Sequence, residues 1–305
     1  MRALKADVQS LRTSTRSEAT RRAYATDWRE FTAWCGAAGR ASLPADPETV
    51  SLFTAHELKA GRKLATVNRR LAAIAYEHKQ HGHKSPVTED VRSVVAGAKR
   101  KRGDDTTAKA ALTVAHLKLI CRKLPRTRMG VRDRALLLVG FASGMRRSEL
   151  SALNVADVHV VKQGVRVMIK RSKTDQEGRG REIGIFCGKA KLSCPVTALQ
   201  QWLYLRGKRP GPLFVGLGPR DEISGERLSA HAINDVVKRC VELAGLDPAG
   251  YGAHSLRAGC VTAAAESGVP ESLIMKRTGH KSLAMVQRYV RPASAFSFNV
   301  LAKAL

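Results

Sequence analysis

Ala142-Ser143-Gly144-Met145-Arg146-Arg147-Ser148-Glu149-Leu150 reads as a corner between two helices. The residues before it, 131–141, are apolar enough to form a helix. Ser143-Gly144 breaks that helix, and a new one starts near Arg147. Downstream, Gly164–Ile169 alternates Val165, Val167 and Ile169, the pattern of a half-buried strand, and Arg181–Phe186 reads as its partner. The polar run Lys173-Thr174-Asp175-Gln176-Glu177-Gly178-Arg179-Gly180 is then a hairpin loop. Helices are expected again at 195–206, 229–243, 254–267, 270–277 and 282–290. Upstream, Thr113 suits the N-cap of a helix running to Arg122.

The first hundred residues carry helical periodicity instead. Residues 20–34 place Tyr24, Trp28, Phe31 and Trp34 near one face. Pro44 and Pro47 mark a break, and Pro47 fits the first turn of a helix carrying Val50, Leu52, Phe53 and Leu58. A third helix, 66–78, has Val67, Leu71, Ile74 and Ala75 as its apolar side, with Arg69 and Arg70 facing out. Pro86 starts a shorter element ending at Val95. The polar run 99–111 lacks large apolar residues and reads as a connector. The expected organisation is a helical domain over 1–103, a linker over 104–112, a mixed α+β domain over 113–291 and a tail over 292–305. The fold class is mainly α with a small antiparallel β-sheet.

The formal charge is +27 over 305 residues, divided as +9 over residues 1–110 and +18 over the remainder. A charge that large opposes compaction unless a polyanion balances it. Double-stranded DNA is the expected partner, because its phosphates release counterions to Lys and Arg. Both halves are basic, which fits two domains touching one duplex. A membrane is not expected. The best apolar run, Ala135 to Ala142, is eight residues, against the roughly 20 that span a bilayer. Aromatic residues are 5%, too few for a series of base-stacking platforms. The six cysteines form no C-x-x-C pair and read as reduced, mostly buried thiols. The N-terminus lacks the apolar core of a signal peptide, so the cytoplasm, at the nucleoid in a bacterium, is the expected compartment.

Four segments carry chemistry together: Arg146 with Glu149, Lys173 in the hairpin loop, His254-Ser255-Leu256-Arg257, and Gly279-His280 followed by Tyr289. Breaking a phosphodiester gathers negative charge on the non-bridging oxygens. The sequence has no cluster of acids at metal-ligand spacing, so no metal or other cofactor is expected and cationic side chains must meet that charge. Arg146 and Arg257 supply planar forks. His254 lies one helical turn before Arg257, and His280 adds a donor. Tyr289, with an ordinary pKa of about 10, is the candidate nucleophile. Surrounding cations would favour its phenolate, and a neutral imidazole could take its proton. Lys173 could protonate the leaving 5′-oxygen. Glu149, one turn after Arg146, could buttress a cation.

These segments resemble the three boxes of the tyrosine recombinases, the family of phage integrases and of Xer- and Cre-type enzymes. The likeness spans roughly 113–291, and the helical first domain is similar to the family's core-binding domain. The resemblance implies a catalytic set of Arg146, Lys173, His254, Arg257, His280 and Tyr289, with Glu149 as helper. It implies a C-shaped clamp on DNA at a specific recombination site. It further implies a 3′-phosphotyrosyl intermediate, a Holliday junction and a tetrameric synapse of chains that are monomeric when free. The tail, with Ala295, Phe296, Val300, Leu301 and Leu305 on one face if helical, would dock in a neighbouring subunit or on its own domain. In the first domain Arg21, Arg22, Lys63, Arg69 and Arg70 are the candidate phosphate contacts. A type IB topoisomerase or a telomere resolvase would use the same tyrosine chemistry, and a DNA-binding accessory protein would use none of it.

Overall fold

The computed structural model describes residues 16–103, 109–170, 180–207 and 209–294, with backbone only over 290–294. These residues form two compact units, one within 1–107 and one within 108–305.

The first unit contains four described helices: α1 (Glu18–Ala37), α2 (Pro47–Lys59), α3 (Leu64–Gln80) and α4 (Glu89–Arg102). Ser17 caps α1 by accepting the Thr20 N–H, and Asp46 caps α2 ahead of Pro47. Phe31, Phe53, Leu71 and Ile74 form the core, and the Phe31 and Phe53 rings meet edge to face at 5.1 Å. Each such ring contributes about 1.5–3 kcal/mol by leaving water. Leu52, grouped with the apolar residues of α2, is exposed.

Two expectations for this unit change. Arg70 does not face out: it is 8% exposed, 3.0 Å from Glu57 and 3.8 Å from buried Asp27. Arg69 donates two hydrogen bonds to Asp27, at 2.7 and 3.0 Å. The buried carboxylates Asp27 and Glu57 draw Arg70 inward, while Arg69 stays exposed and reaches Asp27 from the surface. The basic run at the start of the connector is also helical. Helix α4 continues to Arg102, whose guanidinium donates to the carbonyl of Leu58.

The second unit opens with residues 109–112, the end of the expected linker, held in place by backbone bonds. The Ala110 N–H donates to Gly250 O at 2.9 Å and the Leu112 N–H to Ser255 O at 3.0 Å. Then follow α5 (Val114–Lys123), capped by Thr113, α6 (Arg128–Ser143) and α7 (Arg147–Ala152). Three antiparallel strands come next, β1 (Val158–Val161), β2 (Gly164–Ile169) and β3 (Arg181–Phe186), in the order β1-β2-β3. The register pairs Val165 with Ile185 and Val167 with Ile183, which puts these four on the buried face. The chain continues through α8 (Pro195–Arg206), the hairpin β4 (Val215–Leu217) and β5 (Ile223–Arg227), α9 (Ala230–Leu243), α10 (Ala253–Glu266), α11 (Glu271–Thr278) and α12 (Leu283–Ser294). Strand β1 and the β4–β5 hairpin were not expected. Val160 is exposed in β1, and only Ile223 gives β5 an apolar side chain. Neither carries a full apolar alternation.

Helix α6 is the centre of this unit. Its residues Ala135, Leu136, Leu137 and Val139 are fully buried, between α8 on one side and α10 on another. All six cysteines are free, and Cys187 alone is exposed. Among the described residues no helix is long and apolar enough to cross a membrane.

Gly259 of α10 faces the segment entering the unit. A Cβ there would lie 1.9 Å from Leu112 O and 2.8 Å from the Phe141 ring. Gly259→Ala should therefore destabilise the second unit by about 1–3 kcal/mol through overpacking. Urea unfolding would measure the loss, and amide exchange should accelerate at Leu112 and along α10.

Candidate active site

Six segments of the second unit converge on one pocket. They are the α6–α7 corner, the first turn of α7, the start of β3, the first turn of α10, the α11–α12 turn and α12 itself. Helix α6 ends on Gly144 in the left-handed region (φ 62°), which an L side chain enters only with strain. That reversal leaves Arg146 at the N-cap of α7.

Arg146 is tied at both ends. Its Nη1 donates to Glu149 Oε1 at 2.8 Å, and its Nη2 donates to Gly279 O at 2.9 Å. Glu149 Oε2 accepts the Arg146 backbone N–H at 3.0 Å, so the same carboxylate caps α7. Glu149 is 2% exposed. A second guanidinium reaches it: Arg181 Nη2 donates to Glu149 Oε2 at 2.8 Å.

Arg257 is buried in the first turns of α10. Its Nη1 donates to Gly144 O at 2.7 Å and to Thr278 O at 2.6 Å, the carbonyls at the ends of α6 and α11. Its Nη2 is buried with no hydrogen-bond partner. Leaving such a donor unsatisfied costs about 1–3 kcal/mol, which makes it a ready site for an anionic oxygen. Burial, and then the charge of Arg146, lowers its pKa to about 10, so it stays charged at neutral pH.

Tyr289 Oη and His254 Nε2 are 2.5 Å apart. Desolvation first, then the charges of Arg257 and Arg146, hold His254 below its usual pKa. Desolvation raises the phenol's pKa and outweighs the opposing pull of Arg257 and Arg288. Both groups are therefore neutral, and in the tautomer with a bare Nε2 the phenol donates and the imidazole accepts. This corrects the expectation that surrounding cations favour a phenolate here.

His280 is 7% exposed, and its Nδ1 lies 2.7 Å from Thr278 Oγ1. The Thr278 hydroxyl spends its one proton on Ile274 O at 2.7 Å. His280 must then donate from Nδ1, which leaves Nε2 bare in the neutral ring. Desolvation, followed by the charges of Arg257 and Arg146, lowers the pKa of His280 to about 4.

Arg146, Glu149, His254, Arg257, His280 and Tyr289 thus stand together. Lys173 lies outside the described residues. Arg21, Arg22, Lys63, Arg69 and Arg70 belong to the first unit. Arg21 and Lys63 are exposed, and exposed Arg22 pairs with Glu18. Arg69 and Arg70 are engaged by carboxylates, so a phosphate would have to compete with Asp27 and Glu57 for them. Sequence reasoning missed Arg181 and Thr278. Arg181 was read only as the start of a strand. No local signal raises it, because its partner Glu149 lies 32 residues earlier in the chain.

Residues 111–295 match the phage integrase family, and residues 8–80 match the phage integrase N-terminal SAM-like domain. An integrase/recombinase XerD homologue from Selenomonas ruminantium is 34% identical over 291 residues, covering 94% of this chain and 85% of the relative. A tyrosine recombinase XerC from Pelobacter propionicus is 26% identical over 282 residues, covering 88% and 82%. Among solved structures, the Tn1549 transposon integrase in complex with transposon right-end DNA superposes with a TM-score of 0.68. It has 16% identity and covers 97% of this chain and 98% of that one. The alternation of apolar helices, the corner at Gly144 and the pocket around Tyr289 all sit inside these matches, and the chain belongs to the phage integrase family of tyrosine recombinases.

Proposed function

We propose that this recombinase cuts and rejoins double-stranded DNA at a specific site, with Tyr289 as the nucleophile. The observation that carries the reading is the unpartnered Arg257 Nη2 in the same pocket as the Tyr289–His254 hydrogen bond. A buried cationic donor beside a phenol with a proton acceptor is what phosphoryl transfer to tyrosine requires.

The non-bridging oxygens of the scissile phosphate are held by Arg257 and Arg146. Tyr289 Oη attacks phosphorus as its proton passes to His254 Nε2. The bond to the 5′-oxygen breaks, and that oxygen takes a proton from Lys173, which lies between β2 and β3 in the sequence. The DNA 3′-phosphate is now esterified to Tyr289 and a 5′-hydroxyl is free. Attack by a 5′-hydroxyl from the partner strand reverses the steps and releases Tyr289. One phosphoester replaces another, so no nucleotide is hydrolysed. His280 offers only a bare nitrogen while neutral, and the arriving phosphate, an acceptor with negative charge, favours its protonation into a donor.

Two sites brought together by four chains, with strands exchanged in pairs through a Holliday junction, complete the reading. The charge of +27 supports DNA as the partner, and with it the cytoplasm, at the nucleoid in a bacterium, as the place of action.

The test is a nicked suicide duplex carrying a site recovered by selection from random DNA. The wild-type chain should form a covalent adduct. Tyr289→Phe should bind equally and form none, while Arg257→Ala should slow adduct formation by about 100- to 1,000-fold. Equal adduct from wild type and Tyr289→Phe would defeat the assignment.

Acid should also weaken the second unit. His280 titrates near 4 when folded and at about 6.5 when unfolded, so the unfolded chain binds more protons between those values. Its contribution to stability is complete above pH 6.5 and is lost as pH falls toward 4. NMR titration of His280 without DNA should give the low midpoint, and urea midpoints should drop from pH 7.5 to pH 5.

A further inference from the structure

We propose that Arg181 is a positioning residue for phosphoryl transfer, balancing the charge of Glu149 so that Arg146 keeps its cationic field for the scissile phosphate. The proposal rests on the reading of Tyr289 and Arg146 given above.

Glu149 is needed where it is. It caps α7 and fixes the Arg146 fork through Oε1. Yet a carboxylate 2.8 Å from Arg146 Nη1 cancels much of that arginine's field at any neighbouring anion. A buried carboxylate with a single counter-ion also meets its desolvation cost poorly. Arg181 occupies the other oxygen at 2.8 Å, and its side chain is 19% exposed. Its Nη1 lies against the α-carbon of Gly279, where an added Cβ would sit 2.5 Å away. Arg146 Nη2 meets Gly279 at its carbonyl. The two guanidiniums therefore flank one residue of the α11–α12 turn and share one carboxylate.

The charge count follows. Arg146, Arg257 and Arg181 face the single negative charge of Glu149, and both histidines are neutral before DNA arrives. Without Arg181, Glu149 would offset one of only two cations just where the transition state gathers charge. Arg181 acts on both neighbours: its charge contributes to the lowered pKa of Arg257 and of His280. Its Nε is buried without a hydrogen-bond partner, so protein acceptors do not saturate it. Arg181 is also the first residue of β3, which ties that strand to the Arg146 corner.

The experiment compares Arg181→Ala, Arg181→Lys and Arg181→Ala placed in a Glu149→Gln background. Adduct formation on the suicide duplex is measured at saturating DNA, alongside binding affinity and melting temperature. Arg181→Ala should slow adduct formation by about 10- to 100-fold with affinity little changed. Arg181→Lys should recover most of the rate. In the Glu149→Gln background the loss should shrink, because no carboxylate charge is left to balance. The His280 NMR midpoint should rise in Arg181→Ala as positive charge leaves the pocket. A loss of equal size in both backgrounds, with a lower melting temperature, would mark a purely structural role and overturn the proposal. A wild-type rate in Arg181→Ala would overturn it too, while Arg146 and Tyr289 keep their roles. Failure of the wild-type chain to form an adduct would instead remove the reading on which it rests.

Discussion

A single guanidinium, withdrawn from water where two helices end, organises the second unit. Arg257 Nη1 binds the carbonyls at the C-termini of α6 and α11, the negative poles of both helices. Each helix finishes on a glycine in the left-handed region, Gly144 and Gly279, which turns the chain away and leaves those carbonyls free to accept. A smaller or uncharged side chain in its place would leave both carbonyls without this donor. Arg146 then starts α7 immediately after one turn, and His280 follows the other. The arrangement of the pocket is thus a consequence of how one buried cation is accommodated.

The first unit uses the same device in reverse. There a carboxylate, Asp27, is the buried charge; Arg70 of α3 turns inward to meet it and Arg69 reaches it from the surface. Glu57 of α2 joins through Arg70. These pairs link three helices whose apolar core is modest in size. Part of the basic charge of the first unit therefore serves packing.

Much of this was legible in the residues. Helix boundaries followed where apolar periodicity coincided with a capping or breaking residue, as at Thr113, Pro47 and Gly144. Strands β2 and β3 were legible because Val165, Val167, Ile183 and Ile185 alternate. The pocket residues were legible because local spacing sets them on single turns: His254 with Arg257, Arg146 with Glu149. What escaped depends on partners distant in the chain. Arg70 looks like a surface residue until Asp27 and Glu57 are beside it. Arg181 and Glu149 are separated by the whole β-sheet hairpin. The proton on the Tyr289–His254 pair depends on desolvation, which no linear pattern reveals. Strand β1 and the β4–β5 hairpin pack too few apolar side chains to announce themselves.

Tyr289 stands 2.5 Å from His254 within one chain, on a helix that folds back over α10. The groups proposed as nucleophile, base and anion-binding cations all belong to one chain. Mixing two differently disabled chains, one without the phenol and the other without Arg257, would therefore yield no restored centre by complementation. On the proposed mechanism, each copy would act on the strand in its own pocket.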